Sequence, residues 1–179
     1  MKTHQRQLIL DYGKFLKVEQ HTVELDNGHV IPDWTWVITP DFVNVVLITP
    51  DDRFVLFRQS KYAIEGDSLA PVGGYIEPGE DPLEAAKREA FEETGYQSDE
   101  WYALGTFIVD ANRGCGRAHF FLAKNAYVAG EPHADDLEPQ EIVLLTRQQV
   151  QQSLQEFKVL PWVAVMTLVL LHDSAAGLP

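Results

Sequence analysis

The sequence has almost no cysteine. Cys115 is the only one among the 179 residues, so the chain cannot form an internal disulfide bond. The six histidines are scattered along the chain, and no Cys/His set has the spacing of zinc ligands. We therefore expect a protein of a reducing compartment, the cytoplasm.

Basic residues are also scarce. The chain has 14 Lys and Arg against 27 Asp and Glu, which gives a formal net charge of −13. A charge of this sign repels nucleic-acid backbones and acidic membrane surfaces, so we expect neither a nucleic-acid nor a membrane partner. If the substrate is an anionic small molecule, a cation must lie between it and the acidic residues, and a divalent metal ion is the usual one.

Long apolar runs are missing. The longest, residues 162–171, is about half the length that a helix needs to cross a bilayer. The apolar run before Asp11 is too short for a secretory signal. The sequence shows no internal repeat or long linker, and its 45% of hydrophobic residues suffice for a core. These features predict one soluble domain over residues 1–179.

The first 60 residues have the pattern of β-strands. Strands are expected over residues 14–18, 22–25, 29–38, 43–49 and 53–57. Asp26-Asn27-Gly28 is a typical hairpin turn between two of them. The last two segments are apolar and β-branched, which predicts central strands joined by a tight turn.

The pattern changes to that of a helix after residue 80. A helix is predicted over residues 83–94, since Asp81 can cap its N-terminus and Pro82 suits its first position. Gly95 then provides a stop. Further strands are expected over residues 101–109, 119–123 and 142–145, and helices over residues 148–157 and 162–172. This order predicts an α/β protein with a mixed sheet that helices cover on both faces.

The predicted helix carries three carboxylates on one side. Leu83, Ala86, Ala90 and Thr94 form its apolar stripe, and Glu89, Glu92 and Glu93 lie together beside that stripe. Like charges at this spacing destabilise a helix by a few tenths of a kcal/mol per pair, so a compensating charge is expected. Carboxylate oxygens are the ligands that Mg²⁺ or Mn²⁺ prefers. The alternative is a solvated, Glu-rich helix face.

A longer pattern surrounds these carboxylates. Gly74 is followed after five residues by Glu80, and after seven more by Arg88-Glu-Ala-Phe-Glu-Glu-Thr-Gly-Tyr96. The segment resembles the signature of the Nudix hydrolases, Gly-x5-Glu-x7-Arg-Glu-U-x-Glu-Glu-x-Gly-U with U apolar, and matches every fixed position. The resemblance implies an α/β/α sandwich with a central mixed sheet, to which an N-terminal antiparallel strand region is added. Residues 1–40 would form that region and a homodimer contact, and residues 41–179 the catalytic core.

The resemblance also implies roles for individual residues. The metal ligands in the family correspond to Glu89 and Glu93, often joined by Glu92, and to the backbone carbonyl of Gly73. Arg88 and Glu80 correspond to residues that orient these ligands. Mg²⁺ is the implied cofactor, with Mn²⁺ as a substitute. The implied reaction is attack of water on the pyrophosphate of a nucleoside diphosphate linked to another group.

The general base of such enzymes usually lies outside the signature. In the ADP-ribose pyrophosphatase branch it is a Glu on a loop well beyond the helix. The acidic segment over residues 135–141 corresponds to this loop, and Glu138 matches the base best by its distance from the predicted strand over residues 142–145. Glu141 is the second choice, and the alternative is that these acids only solvate a loop.

The wider resemblance is to the ADP-ribose and nucleotide-sugar pyrophosphatases and covers the chain from Tyr12 to about His172. It makes Trp34 or Trp36 a candidate for stacking on the nucleotide base, although both residues also fit one face of a half-buried strand. Arg58 and Lys61 correspond to phosphate contacts, or else they are ordinary charges at the end of a strand.

Two positions depart from that branch. Ala70 stands where the branch typically has Glu, and Asp110 and Ala111 stand where a Pro marks preference for ADP-ribose. The segment over residues 112–117 brings Arg113 and Arg117 among glycines, which suits a clamp on phosphate or sugar, or a solvated turn. Cys115 receives no role because no His or Asp partner is visible in the sequence.

The leading hypothesis is therefore a metal-dependent pyrophosphatase that acts on a nucleotide sugar or ADP-ribose and releases a nucleoside monophosphate and a sugar phosphate. Two alternatives remain at this point. One is hydrolysis of nucleoside triphosphates or dinucleoside polyphosphates on the same fold. The other is a non-catalytic nucleotide-sensing module, which the intact Glu89, Glu92 and Glu93 disfavour.

Overall fold

The structure is a computed structural model that describes residues 1–133 and 139–176, with side chains up to residue 172. These residues form twelve β-strands and three α-helices. The strands are β1 (Lys2–Asp11), β2 (Lys17–Glu24), β3 (Val30–Ile38), β4 (Phe42–Ile48), β5 (Arg53–Gln59), β6 (Ser68–Ala70), β7 (Val72–Tyr75), β8 (Tyr96–Gln97), β9 (Glu100–Asp110), β10 (Gly114–Lys124), β11 (Tyr127–Val128) and β12 (Gln140–Thr146). The helices are α1 (Pro82–Thr94), α2 (Arg147–Gln152) and α3 (Leu160–Ala176).

The chain divides into two compact units, which we describe separately. The first consists of Met1–Phe42 and Thr106–Ala118, and the second of Val43–Gly105 and His119–Pro179. The expectation of one domain over residues 1–179 stays a prediction.

The first unit is built on three antiparallel strands. β2 pairs with β1 on one side and with β3 on the other, and the first residue of β10, Gly114, pairs with Val37 of β3 in parallel. Antiparallel and parallel pairing therefore both occur, as a mixed sheet requires. The predicted turn is confirmed, since Leu25 donates to the carbonyl of His29 and Gly28 adopts the left-handed conformation with φ +81°.

The predicted strand over residues 14–18 was wrong for residues 14–16, since β2 begins at Lys17. Residues 12–16 form a turn closed by the Tyr12 amide on the Leu16 carbonyl, where a strand over residues 14–18 was expected. Strand β1 was not predicted at all. Its residues are exposed throughout and show no polar–apolar alternation, so only backbone pairing with β2 makes this segment a strand.

The second unit holds the buried strands. β5 pairs antiparallel with β4, β6 and β12, and nearly every residue of β4 and β5 is buried, which confirms both as central strands. One face of these strands packs its Val, Leu and Phe side chains against Ala85, Ala86 and Ala90 of α1. Burial of each large aliphatic or aromatic side chain contributes roughly 1.5–3 kcal/mol, so this layer holds α1 firmly on the sheet.

Helix α1 begins and ends where its sequence predicts. The carboxylate of Asp81 accepts hydrogen bonds from the amides of Leu83 and Glu84, and Pro82 occupies the first turn. Gly95 ends the helix in the left-handed conformation with φ +72°. A Cβ on Gly95 would lie 2.2 Å from the carbonyl oxygen of Gly130, so this position also needs glycine for space.

The helix expected over residues 148–157 was wrong in its extent. Helix α2 starts one residue earlier, at Arg147, because Thr146 and Gln149 form a reciprocal capping box. It ends at Gln152, and Leu154–Glu156 form a separate 3-10 turn after Ser153. Helix α3 confirms the last predicted helix and is longer than expected. Among the described helices, none is long and apolar enough to cross a membrane.

Candidate active site

The carboxylates of α1 face a pair of glycines on β7. The amide of Gly73 donates to Oε2 of Glu93 at 3.2 Å. A Cβ on Gly74 would lie 2.1 Å from Cδ of Glu89, which means that the Glu89 carboxylate occupies the room that a side chain at position 74 would take. The absence of side chains at both positions thus brings two glutamates of the helix against the backbone of one strand.

Arg88 links the remaining acidic residues of the signature. Its Nε and one Nη donate to the two carboxylate oxygens of Glu80 at 2.8 and 3.0 Å, which is a bidentate ion pair. The other Nη donates to Glu89 at 2.8 Å and to Glu92 at 3.1 Å. The guanidinium also reaches the carbonyl oxygen of Tyr75 at 3.2 Å, so it ties β7, the loop after it and the helix together.

Burial and charge act in opposite directions on these groups. The Glu89 side chain is only 14% exposed, and its burial raises the pKa of the carboxyl above the usual range, although Arg88 partly offsets this. Hydrogen bonds from Arg88 lower the pKa of Glu80, and the same ion pair raises the pKa of Arg88. Glu89 is therefore a partly desolvated carboxylate that further positive charge would stabilise.

The donor atoms at this place fit a divalent ion of the Mg²⁺ or Mn²⁺ kind. They are carboxylate oxygens, and the glycine at position 74 has no side chain that would keep the Glu89 carboxylate away from the strand backbone. Within residues 1–133 and 139–172, no three His, Cys, Asp or Glu side chains are already arranged around one point. Arg88 contacts one carboxylate oxygen of Glu89 at 2.8 Å, which leaves the other oxygen to face a bound ion.

The predicted base, Glu138, lies outside the described residues. The chain before it is attached to the end of α1, since the His133 amide donates to the Glu92 carbonyl at 2.7 Å and the Ala129 amide to the Gly95 carbonyl at 2.9 Å. The alternative base, Glu141, lies in β12, where the strand register places it opposite Arg58 of β5.

The two cations predicted to contact phosphate lie at the end of β5. Arg58 donates to a carboxylate oxygen of Glu156 at 3.0 Å, and this ion pair lowers the pKa of Glu156. Lys61 is half-buried in the turn after β5, and its carbonyl accepts a hydrogen bond from the Ile64 amide. Both roles stay predictions.

The first unit contains the predicted aromatic residues. Trp34 donates from its indole nitrogen to the carbonyl of Asn112 at 2.7 Å, and Trp36 stacks on the ring of His21 with 5.6 Å between centroids. A cavity of about 440 Å³ is lined by these aromatic rings and by Arg6, Asn112 and their neighbours. A second cavity of about 320 Å³ is lined by Trp34, Thr35, Asn112 and Arg113.

The loop that carries Arg113 has an unusual backbone. Gly114, Cys115 and Gly116 all adopt positive φ, at +79°, +62° and +73°. A Cβ on Gly114 would lie 2.8 Å from the Trp36 ring, so this turn packs directly on the aromatic strand. Arg113 itself is exposed and pairs with Asp110 at 3.4 Å. The structure thus places Trp34 and Arg113 together in the first unit. The residues of the signature lie together in the second unit: Gly73, Glu80, Arg88, Glu89, Glu92 and Glu93.

Two features of these sites were not predicted. His21 was not expected beside the tryptophans. Its position there follows from the register of β2 and β3, which places His21 opposite Trp34. Asn44 was not singled out either, although it is the one polar residue in the apolar run of residues 43–48.

The chain is similar to known proteins in sequence and in fold. A family model described as NUDIX domain matches residues 39–168. The methanol dehydrogenase activator of Bacillus methanolicus is 30% identical over 146 residues, which are 82% of this chain and 77% of that protein. The ADP-ribose pyrophosphatase of Bacillus subtilis (strain 168) is 29% identical over 119 residues, 66% of this chain and 64% of that protein.

Among solved structures, a crystal structure of an ADP compounds hydrolase is similar, with a TM-score of 0.78. The alignment covers 99% of this chain and 98% of that one at 21% sequence identity. At this identity the likeness concerns the fold alone. It confirms the predicted α/β fold with a central mixed sheet and helices.

Proposed function

We propose, since the chain belongs to the NUDIX family and is a Nudix hydrolase, that it cleaves the pyrophosphate bond of a nucleotide sugar or of ADP-ribose. The products would be a nucleoside monophosphate and a sugar phosphate. One observation carries the proposal: Glu89 and Glu93 lie against the Gly73–Gly74 backbone, and Arg88 joins Glu89 to Glu80 and Glu92. The name of the Bacillus subtilis relative supports ADP-ribose as a substrate.

Nudix hydrolases generally use divalent metal ions, and the residues that would hold one here are Glu89, Glu93, Glu92 and the carbonyl of Gly73. When bound, Mg²⁺ or Mn²⁺ would neutralise charge on the diphosphate and lower the pKa of the attacking water. The protein itself is strongly acidic, with a net charge of −13, so a cation is needed before a pyrophosphate can approach these carboxylates.

The remaining roles belong to side chains. Arg88 and Glu80 hold Glu89 and Glu92 in place through the bidentate pair and the two further hydrogen bonds. Glu138 accepts the proton of the attacking water as that oxygen bonds to phosphorus and the bridging P–O bond breaks, which releases the second phosphate as leaving group. Glu138 then returns this proton to solvent.

Binding of the rest of the substrate uses other residues. Arg58, Lys61 and Arg113 supply positive charge for phosphate, and Trp34 supplies an aromatic face for the base. The two cavities that Trp34 lines support this role. A homodimer formed through the N-terminal strands and a cytoplasmic location complete the proposal.

The experiment is a substrate screen with wild type and Glu93→Gln in Mg²⁺ and in Mn²⁺. ADP-ribose, nucleotide sugars, dinucleoside polyphosphates and nucleoside triphosphates are compared by product analysis, and Mn²⁺ binding is measured by electron paramagnetic resonance. We expect cleavage of ADP-ribose or a nucleotide sugar, a kcat at least about a hundredfold lower for Glu93→Gln, and weaker Mn²⁺ binding.

Glu84→Gln is the matched control. Glu84 is on the same helix, exposed, and pairs with Lys87 at 2.8 Å, so its loss should change neither measurement. Equal turnover and equal Mn²⁺ binding by wild type and Glu93→Gln would contradict the metal assignment. Preferred cleavage of nucleoside triphosphates would contradict the substrate class.

A further inference from the structure

Asn44 is a polar residue in the most buried strand of the second unit. It is 3% exposed, and residues 43 and 45–48 around it in β4 are all apolar and buried. Its Oδ1 is fully buried and has no hydrogen-bond partner among the described residues. Leaving such an oxygen unpaired costs about 1–3 kcal/mol relative to an apolar side chain of similar shape, so the fold alone does not account for Asn at this position.

The amide of Asn44 packs on Gly73. Strand β7, which contains Gly73, pairs with β4, and a Cβ on Gly73 would lie 2.3 Å from Nδ2 of Asn44 and 3.5 Å from its Cγ. The same Cβ would lie 2.9 Å from the backbone oxygen of Val43, so the Asn44 side chain and this carbonyl together fill the space beside Gly73. The Gly73 amide at the same time donates to Glu93.

We propose that Asn44 is a positioning residue that holds the backbone of Gly73 in the place where it meets Glu93. The inference rests on the proposed function, because it gives Asn44 a purpose only if Gly73 and Glu93 hold a metal ion. The side chain acts by packing: without it, the Gly73 backbone can move away from α1, and the distance between the Gly73 carbonyl and the Glu93 carboxylate is no longer set.

The test is a double-mutant cycle of Asn44→Ala, Gly73→Ala and both together, with Mn²⁺ affinity measured by electron paramagnetic resonance and unfolding measured without metal. We expect Asn44→Ala to weaken Mn²⁺ binding by about tenfold. Gly73→Ala should weaken it further, since its methyl group collides with the Asn44 amide and, less closely, with the Val43 carbonyl oxygen. The double variant should recover part of that loss, because the methyl group then enters the space that the amide leaves.

Val46→Ala is the matched control for packing. Val46 lies two residues along the same strand, on the same side of it, and is fully buried, so its truncation should lower the melting temperature at least as much as Asn44→Ala does. Its Mn²⁺ affinity should remain that of wild type. If Asn44→Ala does not fold, Asn44→Ser removes the amide with a smaller loss of volume and carries the same expectation.

The outcomes separate the two proposals. If wild type and Asn44→Ala bind Mn²⁺ with equal affinity, the role of Asn44 is overturned and the metal site stands. Strictly additive losses of affinity in the cycle would have the same meaning. Wild type that binds no Mn²⁺ would overturn both. Affinity that is lost in Asn44→Ala and in Val46→Ala alike would show a general effect of destabilisation and would also overturn the role of Asn44.

Discussion

Glu89 occupies the space in front of Gly74, where a Cβ would lie 2.1 Å from Cδ of the glutamate. Residue 74 is the first fixed position of the signature and Glu89 the fourth, so the spacing of the motif has a steric meaning in this chain. The helix can present its carboxylate to the strand only because residue 74 has no side chain.

The variant Gly74→Ala should therefore displace Glu89. We expect a fall in kcat/KM of about a hundredfold and weaker Mn²⁺ binding, because a 1 Å misplacement of a reacting group can cost that much. Gly13→Ala is the control, since a Cβ there meets nothing within 4 Å. The control should lose some stability from its positive φ and no activity. A Gly74→Ala enzyme with wild-type kinetics would show that Glu89 is dispensable.

Arg88→Lys tests the hydrogen bonds around the guanidinium. A lysine ammonium is a point charge and cannot form the two parallel bonds to Glu80 while it also reaches Glu89 and Glu92. We expect kcat/KM to fall by about 10- to 100-fold, with a lower melting temperature. Lys87→Gln, which breaks only an exposed pair with Glu84, should change either quantity little. Equal kinetics for Arg88→Lys and wild type would mean that charge alone is sufficient.

Glu138→Gln tests the general base. The amide cannot accept the proton of water, so we expect a large loss of kcat at neutral pH while Mn²⁺ binding is retained. Steady-state kinetics and a Mn²⁺ titration on the same preparation distinguish this result from loss of the metal. An unchanged rate would transfer the role to Glu141, for which Glu141→Gln is the corresponding variant.

Trp34 offers a test of substrate binding in the first unit. Trp34→Phe keeps an aromatic face and removes the hydrogen bond to the Asn112 carbonyl, whereas Trp34→Ala removes both. We expect KM to rise by about tenfold in Trp34→Ala and less in Trp34→Phe, with kcat nearly unchanged. Phe15→Ala, at an exposed aromatic residue of the same unit, is the control. An unaltered KM in Trp34→Ala would remove Trp34 from the binding site.

Variants of the ion pair between Arg58 and Glu156 distinguish a structural role of Arg58 from a role in substrate binding. Arg58→Gln and Glu156→Gln both break the pair, and each should lower the free energy of unfolding by less than about 1 kcal/mol, since the side chains are 40% and 46% exposed. Only Arg58→Gln should raise KM if Arg58 contacts phosphate. Equal KM values for the two variants would leave Arg58 with a structural role alone.

The stability that the Arg58–Glu156 ion pair contributes should decrease as the pH falls. Arg58 holds the pKa of Glu156 below its usual value of 4.5, so the folded state favours the ionised carboxylate. The pair therefore contributes stability above this pH, and the contribution disappears as the pH falls through the lower pKa of the folded protein. Denaturant unfolding of wild type and Glu156→Gln at neutral pH and at a series of pH values below 4.5 should show a difference in the free energy of unfolding that becomes smaller as the pH falls.

The parts of the fold that local chemistry sets were predicted well. Asp81, Pro82 and Gly95 bound α1 because capping acts within a few residues, and the apolar runs of β4 and β5 marked buried strands. Strand β1 and the break after Gln152 were missed. The former depends on backbone pairing with β2, and the latter on a turn that Ser153 makes inside a sequence with helical character.

The amino-acid order was enough to identify the glutamates, because Glu89, Glu92 and Glu93 fall on one side of a helix whatever that helix packs against. Their surroundings needed the folded chain. Gly73 meets Glu93 across 20 residues, Trp34 meets Asn112 across 78, and Asn44 packs on Gly73 from another strand. Contacts of this kind depend on strand register and on the volume left between elements, and neither quantity is a property of a short stretch of sequence.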